Sequence, residues 1–344
     1  MAQRHPQVVG SIPQPSVEQA VAWQLEKLPG LRYVSGGETG ERQNWIMSFI
    51  ESLREHPDLE LRKEGRWSGY QDTPVLGVRR GHQLRGESMS LGTLERTREE
   101  LQVLDRLAAA DGEPATLLVG MPDYLNLALF SMGKLGPMRH GKAFFDLIVR
   151  EITETQNEFG QRVIFQLEAP LQLVATAKAG PLAMPVAGIM AERLVKVARK
   201  VPAGTRFGVH LCLGDMNHEA LTPLRSTAPV VHLFNALSSR WPATRPLEFI
   251  HAPLAGGTDP VPVDLGYFEP FSKLYRGPAR FVAGVVQESQ DLGEQAAALE
   301  MLESLIGPVD VATYCGLGRR SPEAAEEAAE RTMRLVELSR LPAG

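Results

Sequence analysis

The sequence predicts an α/β fold of the (β/α)8-barrel class, and three observations predict it. Short β-rich runs alternate with longer amphipathic segments, the pattern of parallel strands joined by helices. The 344 residues exceed an ordinary domain but suit a barrel, which runs to about 250 residues and more with insertions. The 32 glycines and 25 prolines suit a chain with many short loops. We expect one barrel domain over residues 1–344, with an N-terminal extension and an inserted loop or hairpin near residues 59–92.

Nine runs read as strands: 8–12, 32–35, 116–121, 162–168, 206–212, 229–235, 248–252, 280–286 and 310–315. A barrel has eight slots, so one run is left over; the first is expected to lie across an end. Helices are expected over 16–28, 44–55, 93–110, 142–159, 185–201, 293–306 and 321–340, from apolar residues at helical spacing. Ser16 can cap the first of these. In the last, Ser321 can cap, and Pro322 sits where a missing N–H costs nothing. The segment 59–92 fits neither pattern: it is polar, carries Trp67 and Tyr70, and reads as a surface elaboration or a cover for the barrel mouth.

Composition excludes several classes of partner. Net charge is −5 with no basic stripe, so nucleic acid is not expected. No apolar run approaches the roughly 20 residues that span a bilayer, so no membrane partner is expected. Residues 1–6 have no apolar signal-peptide core, and a cytoplasmic location is expected. In such a reducing compartment the two cysteines, Cys212 and Cys315, are not expected to pair.

In this fold the active site lies at the C-terminal ends of the strands. Those ends carry reactive residues here: Ser11, Glu38, Glu168, His210, Cys212, His232, His251, Glu288 and Cys315. His210 and Cys212 stand two apart on one strand, so their side chains share a face. Cys315 ends the last strand, within reach across a barrel mouth. One histidine and two cysteines suit zinc, and three protein ligands with an open fourth position make a catalytic rather than a structural site. A thiol entering that position would lose its proton and attack an electrophilic carbon. Glu38 and Glu168 can bind an ammonium group or work as acid and base. Glu288 can carry a proton. His232 and His251 read as packed core or rim histidines, and Asp215 and Asp259 as surface residues.

These motifs, in this order, resemble the catalytic C-terminal barrel of cobalamin-independent methionine synthase. Val9-Gly10-Ser11-Ile12-Pro13 is similar to the family's opening Ile-Gly-Ser-Phe-Pro. Gly36-Gly37-Glu38-Thr39-Gly40-Glu41-Arg42-Gln43-Asn44 resembles its His-Gly-Glu segment followed by Arg-Asn-Asp. Phe165-Gln166-Leu167-Glu168-Ala169-Pro170 resembles Ile-Gln-Ile-Asp-Glu-Pro. Val209-His210-Leu211-Cys212 resembles the family's zinc strand, and Cys315-Gly316-Leu317 with Arg320 its Cys-Gly-Leu-Lys-Thr-Arg. The resemblance implies zinc held by His210, Cys212 and Cys315. It implies that Ser11, Glu38 and Glu168 bind the amino-acid part of a homocysteine-like thiol.

Two departures bear on the chemistry. The family's fourth zinc ligand is a glutamate on the strand after the His-x-Cys strand. Residues 231–235 match that strand and hold no glutamate, which leaves His232, Asn235 or water as the fourth ligand, or a site that has lost its metal. The family's leaving-group histidine is matched by Glu288. The expected function is a zinc-dependent transferase moving a methyl or alkyl group onto a small-molecule thiol. The expected donor is of the methylated-folate or corrinoid-protein kind. The competing expectation is a metal-free lyase, decarboxylase or hydrolase on a related barrel, working through Glu38, Glu168 and Glu288.

Overall fold

Seven parallel strands form one sheet in the computed structural model, which describes residues 3–40, 43, 45–70, 72–108, 115–216, 218–275 and 277–338. They are β1 (Val34–Ser35), β4 (Leu117–Pro122), β5 (Val163–Ala169), β6 (Phe207–Leu211), β7 (Leu247–Pro253), β8 (Arg280–Val286) and β9 (Asp310–Thr313). Each pairs with the next in that order. Their residues are almost all buried, as in a parallel sheet covered on both faces. Two further strands, β2 (Leu59–Lys63) and β3 (Val75–Val78), pair antiparallel as a separate hairpin, which is the expected insertion.

Amphipathic helices join the strands. Helix α1 (Val17–Lys27) is capped by Ser16, whose hydroxyl accepts from the Gln19 N–H. α2 (Trp45–Ser52), α3 (Thr93–Ala108), α6 (Gly141–Phe159), α8 (Ala183–Lys200), α11 (Leu292–Ile306) and α12 (Pro322–Leu338) match the expected helices within a few residues. Asn44, residues 109–110 and residues 339–340 of those expectations lie outside the described residues. Two helices of moderate length were not foreseen, α4 (Tyr124–Met132) and α7 (Pro170–Lys178). Short α5 (Gly136–Arg139) and α10 (Leu265–Phe268) are also new.

Two expected strands are corrected. Residues 229–235 fall inside α9 (Ala228–Arg240), which buries Val230, Val231, Leu233, Phe234 and Leu237. That spacing is helical, and a short apolar run alone does not distinguish a buried helix from a strand. Residues 8–12 form no regular strand. Instead, the chain from His5 bonds to both edges of the sheet: the Gln7 N–H donates to the Val311 carbonyl, and the Ile12 N–H to the Gly37 carbonyl.

The N-terminal strand ends carry a charged network. Arg206 and the Tyr33 hydroxyl both bond the Glu248 carboxylate, and Arg280 bonds Asp310 and Tyr33. It ties residues flanking β1 to β6, β7, β8 and β9 at the end opposite the reactive side chains. Among the described residues, no helix is long and apolar enough to cross a membrane.

Candidate active site

Parallel pairing sets Glu168 of β5, His210 of β6 and His251 of β7 in one row, register partner beside register partner. Two residues past His210, at the β6 end, stands Cys212, and Cys315 follows the end of β9. The Sγ atoms of Cys212 and Cys315 lie 3.8 Å apart, and the His210 Nε2 lies 3.8 Å from the Cys315 Sγ. The ligand atoms of all three residues fall within 4.8 Å of one another. Among the described residues this is the cluster with a metal-ligand donor set. One imidazole and two thiols converging in this way make a nitrogen–sulfur donor set that fits zinc. The Cys315 thiol is held well above the ordinary range, first by its hydrogen bond with Cys212 and then by burial.

Both imidazoles are buried. His210 is 1% exposed and His251 fully enclosed. Burial pushes the His210 pKa well down, with the neighbouring His251 adding to it, and burial takes His251 down to about 4. Both shifts favour the uncharged rings.

The carboxylates stand beside this cluster. Glu168 Oε2 is 3.7 Å from His210 Nε2, and its Oε1 accepts from Gln166 Nε2 at 2.7 Å. Gln166 also donates to the Val9 carbonyl. Burial raises the Glu168 carboxyl well above its usual range, and Glu38 raises it further. Glu38 is pushed up to about 7 by burial, with Arg96 and Arg319 opposing and Glu100 assisting. Its backbone has φ of 44°, a left-handed conformation that is uncommon for a side chain with a Cβ. Gly37 before it has φ of 84°, so the Gly36-Gly37 pair makes the turn that aims the Glu38 carboxyl inward.

These groups line a cavity of about 570 Å³ together with Ser11, Trp67, Tyr70, Asn126, Phe130, Asp215 and Arg319. The lining combines these ionisable groups with apolar and aromatic side chains such as Ile46, Leu129 and Phe130. The three described non-glycine residues with positive φ (Glu38, Trp67 and His218) all line it. Such strain gathers where a site needs a side chain held in one place. Trp67 and Tyr70 come from the β2–β3 hairpin, so the insertion contributes to the wall. The Tyr70 hydroxyl accepts from the Met216 N–H at 2.9 Å, tying the hairpin to the loop after Cys212. A shallow groove on the outer surface of α8 and α9, of about 710 Å³, is larger but open and holds no such cluster.

Most expected site residues meet here, and some do not. Ser11, Glu38, Glu168, His210, Cys212 and Cys315 share the cavity. Ser11 Oγ accepts from the Gly318 N–H at 3.2 Å, packed where the absent Cβ atoms of Gly316 and Gly318 leave room. Glu288 is not among the lining residues; it accepts from Arg320 Nε at 2.7 Å. His232 and Asn235 lie on α9, where Asn235 bonds Lys273 and Tyr275, and neither lines the cavity or joins the His210, Cys212 and Cys315 cluster. The strand after β6 is β7, and its residue beside His210 is His251. Asp215, expected at the surface, is 8% exposed and pairs with Arg319; Asp259 is exposed as expected. Glu41, Arg42 and Asn44 of the Glu38 motif lie outside the described residues.

No protein-family model matches the chain, and no curated protein is similar to it in sequence. Solved structures do match. A B12-independent methionine synthase from Shewanella sp. W3-18-1, in complex with selenomethionine, superposes with a TM-score of 0.61 at 14% identity, covering 98% of both chains. A methyltransferase from Methanosarcina mazei gives 0.56 at 13% identity, over 98% of this chain and 94% of that one. At such identities the likeness is one of fold, along nearly the whole chain: this protein has the fold of the B12-independent methionine synthase and methyltransferase structures.

Proposed function

We propose that the chain is a zinc-dependent transferase that moves a methyl or other alkyl group onto a small-molecule thiol bearing an ammonium group. The convergence of His210, Cys212 and Cys315 within 4.8 Å in the cavity carries this reading. The fold shared with a methionine synthase and a methyltransferase supports it. The hydrogen bonds of residues 7 and 12 to Val311 and Gly37 support a closed barrel, with the N-terminal segment in the eighth position.

His210, Cys212 and Cys315 would hold the zinc, which when bound lowers the pKa of a thiol beside it. The protein's own groups do the rest. Glu38 and Glu168 grip the ammonium, ionising as it enters because a cation favours the charged carboxylate. The Ser11 oxygen already accepts from Gly318, which leaves its O–H free to donate to a substrate carboxylate. Trp67, Tyr70 and Phe130 exclude water from the outer cavity, where the donor's apolar part would sit. The acceptor thiol releases its proton to solvent as it binds; its sulfur then attacks the donor's alkyl carbon, and the S–C bond forms as the bond to the leaving group breaks, the electron pair departing with that group. Glu288 is assigned to Arg320, which also donates to the Gly316 carbonyl at 3.3 Å, so this pair braces the Cys315 turn instead of carrying a proton.

The deciding measurement is zinc content of protein purified without added metal, with the Cys212→Ser and Cys315→Ser variants alongside. Near-stoichiometric zinc in the native protein, lost with thiol alkylation in both variants, supports the reading. No zinc after reconstitution, with full turnover in Cys212→Ser, overturns it. That result would favour metal-free acid–base chemistry, to which the raised carboxyls of Glu38 and Glu168 are suited.

A further inference from the structure

We infer that His251 is a positioning residue that fixes the tautomer of His210, so that the lone pair of His210 Nε2 faces the two cysteine sulfurs. This rests on the zinc reading above and deepens it.

One chain of hydrogen bonds runs from the Thr313 carbonyl through His251 to His210. The Thr313 carbonyl oxygen can only accept. It lies 3.0 Å from His251 Nε2, so that nitrogen carries the proton. A neutral imidazole has one N–H, so His251 Nδ1 is left with a lone pair. His251 Nδ1 lies 2.7 Å from His210 Nδ1, and of the two atoms only the latter is free to donate. His210 therefore holds its proton on Nδ1, and its Nε2 has the lone pair. That Nε2 is the atom 3.8 Å from Cys315 Sγ. The opposite assignment would set the lone pair of His251 Nε2 against the Thr313 carbonyl oxygen and put a proton on the His210 nitrogen that faces the thiols.

The sequence makes room for this device. His251 is the register partner of His210 on β7, so adjacent strands deliver the two rings side by side. Their centroids are 4.7 Å apart. On the other flank stands Gly284 of β8, where a Cβ would come 2.8 Å from His251 Nε2. Thr313, at the end of β9, supplies the terminal carbonyl, and its hydroxyl donates to the Cys315 carbonyl at 2.6 Å. The same residue thus anchors the relay and the turn that bears the second cysteine. With both nitrogens engaged in hydrogen bonds, His251 is turned away from the role of fourth ligand.

The test compares zinc affinity of the metal-free full-length protein, by competition with a chromophoric chelator, in native, His251→Asn and His251→Leu forms. The asparagine side-chain oxygen can stand near the place of Nδ1 and still accept from His210; leucine cannot. Loss of such an outer partner costs roughly tenfold to a hundredfold in metal affinity. We expect that loss in His251→Leu, with His251→Asn within a few-fold of the native protein. Equal affinity in all three, or equal loss in both variants, overturns the inference. If the native protein itself takes up no zinc, the functional reading fails instead. Should the leucine variant not fold, ring-nitrogen chemical shifts of the native metal-free protein decide. A protonated Nδ1 on His210 and a protonated Nε2 on His251 are expected, and the reverse pair overturns it.

Discussion

The carboxyl of Glu38 occupies the space that a side chain at position 120 would fill: a Cβ on Gly120 would lie 2.6 Å from Glu38 Oε1. β1 and β4 are neighbours, and the glycine on β4 lets the carboxyl swing inward over the sheet end. Gly120→Ala should therefore push Glu38 off its position without touching the cysteines. We expect kcat/KM for the thiol acceptor to fall on the order of tenfold to a hundredfold, the cost of misplacing a binding group by about an ångström. Zinc content should be unchanged. A variant with native kinetics would remove Glu38 from the binding site.

The pH response of Glu38 follows from its raised pKa of about 7. The groups facing it are Glu168, Glu100, Arg96 and Arg319. A carboxyl whose folded pKa exceeds its unfolded value of 4.5 favours the folded state most at low pH. That contribution fades as pH rises from about 4.5 through 7. Glu38→Gln should be neutral to stability at pH 5 and raise Tm at pH 8. Glu38 is partly open to the cavity, so the gain should be modest, on the order of 1 kcal/mol. In the native protein, KM for an ammonium-bearing thiol should fall as pH rises from 6 to 8, and Glu38→Gln should flatten that slope. Thermal melts and initial rates at the two ends of the range check both.

With the sulfurs of Cys212 and Cys315 at 3.8 Å, metal-free protein should be open to oxidation. Diamide treatment should yield an intramolecular disulfide, read by mass and by loss of two titratable thiols. Zinc-loaded protein should resist, because thiolates engaged as ligands are withdrawn from exchange. Equal oxidation with and without zinc would mean that the thiols do not bind the metal.

Gly208 stands two residues before His210 on β6, and a Cβ there would collide with the ring of Phe249 on β7. Gly208→Ala overpacks the interior, a fault that costs about 1–3 kcal/mol. We expect a lowered Tm. We also expect weaker zinc binding, since relief requires β6 and β7 to part at the row that carries His210 and His251.

Much of this was legible in the chain. The alternation of strand and helix gave the parallel sheet, since each buried strand reads as a short apolar run between turn residues. His210 and Cys212 were legible as a pair because a spacing of two on a strand puts both on one face. The insertion at 59–92 was legible from its polarity. What escaped depends on tertiary partners. Residues 229–235 are apolar enough for a strand, and only their packing inside α9 reveals a helix. Residues 8–12 include Gly10, with φ of 155°, and lead into Pro13, so they bond to the sheet without continuing as a strand. His251 was legible as a buried histidine but not as a partner. Its link to His210 depends on the β6–β7 register, and that register shifts between Phe207 and Gly208. Asp215 was missed because a polar loop between glycine and methionine looks like surface until Arg319 is brought against it.

The two cysteines are 103 residues apart in sequence, and the second follows the last strand of the sheet. Ser11, from the other end of the chain, bonds in the same turn as Cys315. A growing chain therefore cannot assemble the three-ligand site until β9 has been made and has docked between β8 and the N-terminal segment. Any zinc captured earlier would have only His210 and Cys212 to hold it, so on the zinc reading tight metal uptake would mark that synthesis has passed residue 315 and that the segment bearing Ser11 has met the turn bearing Cys315.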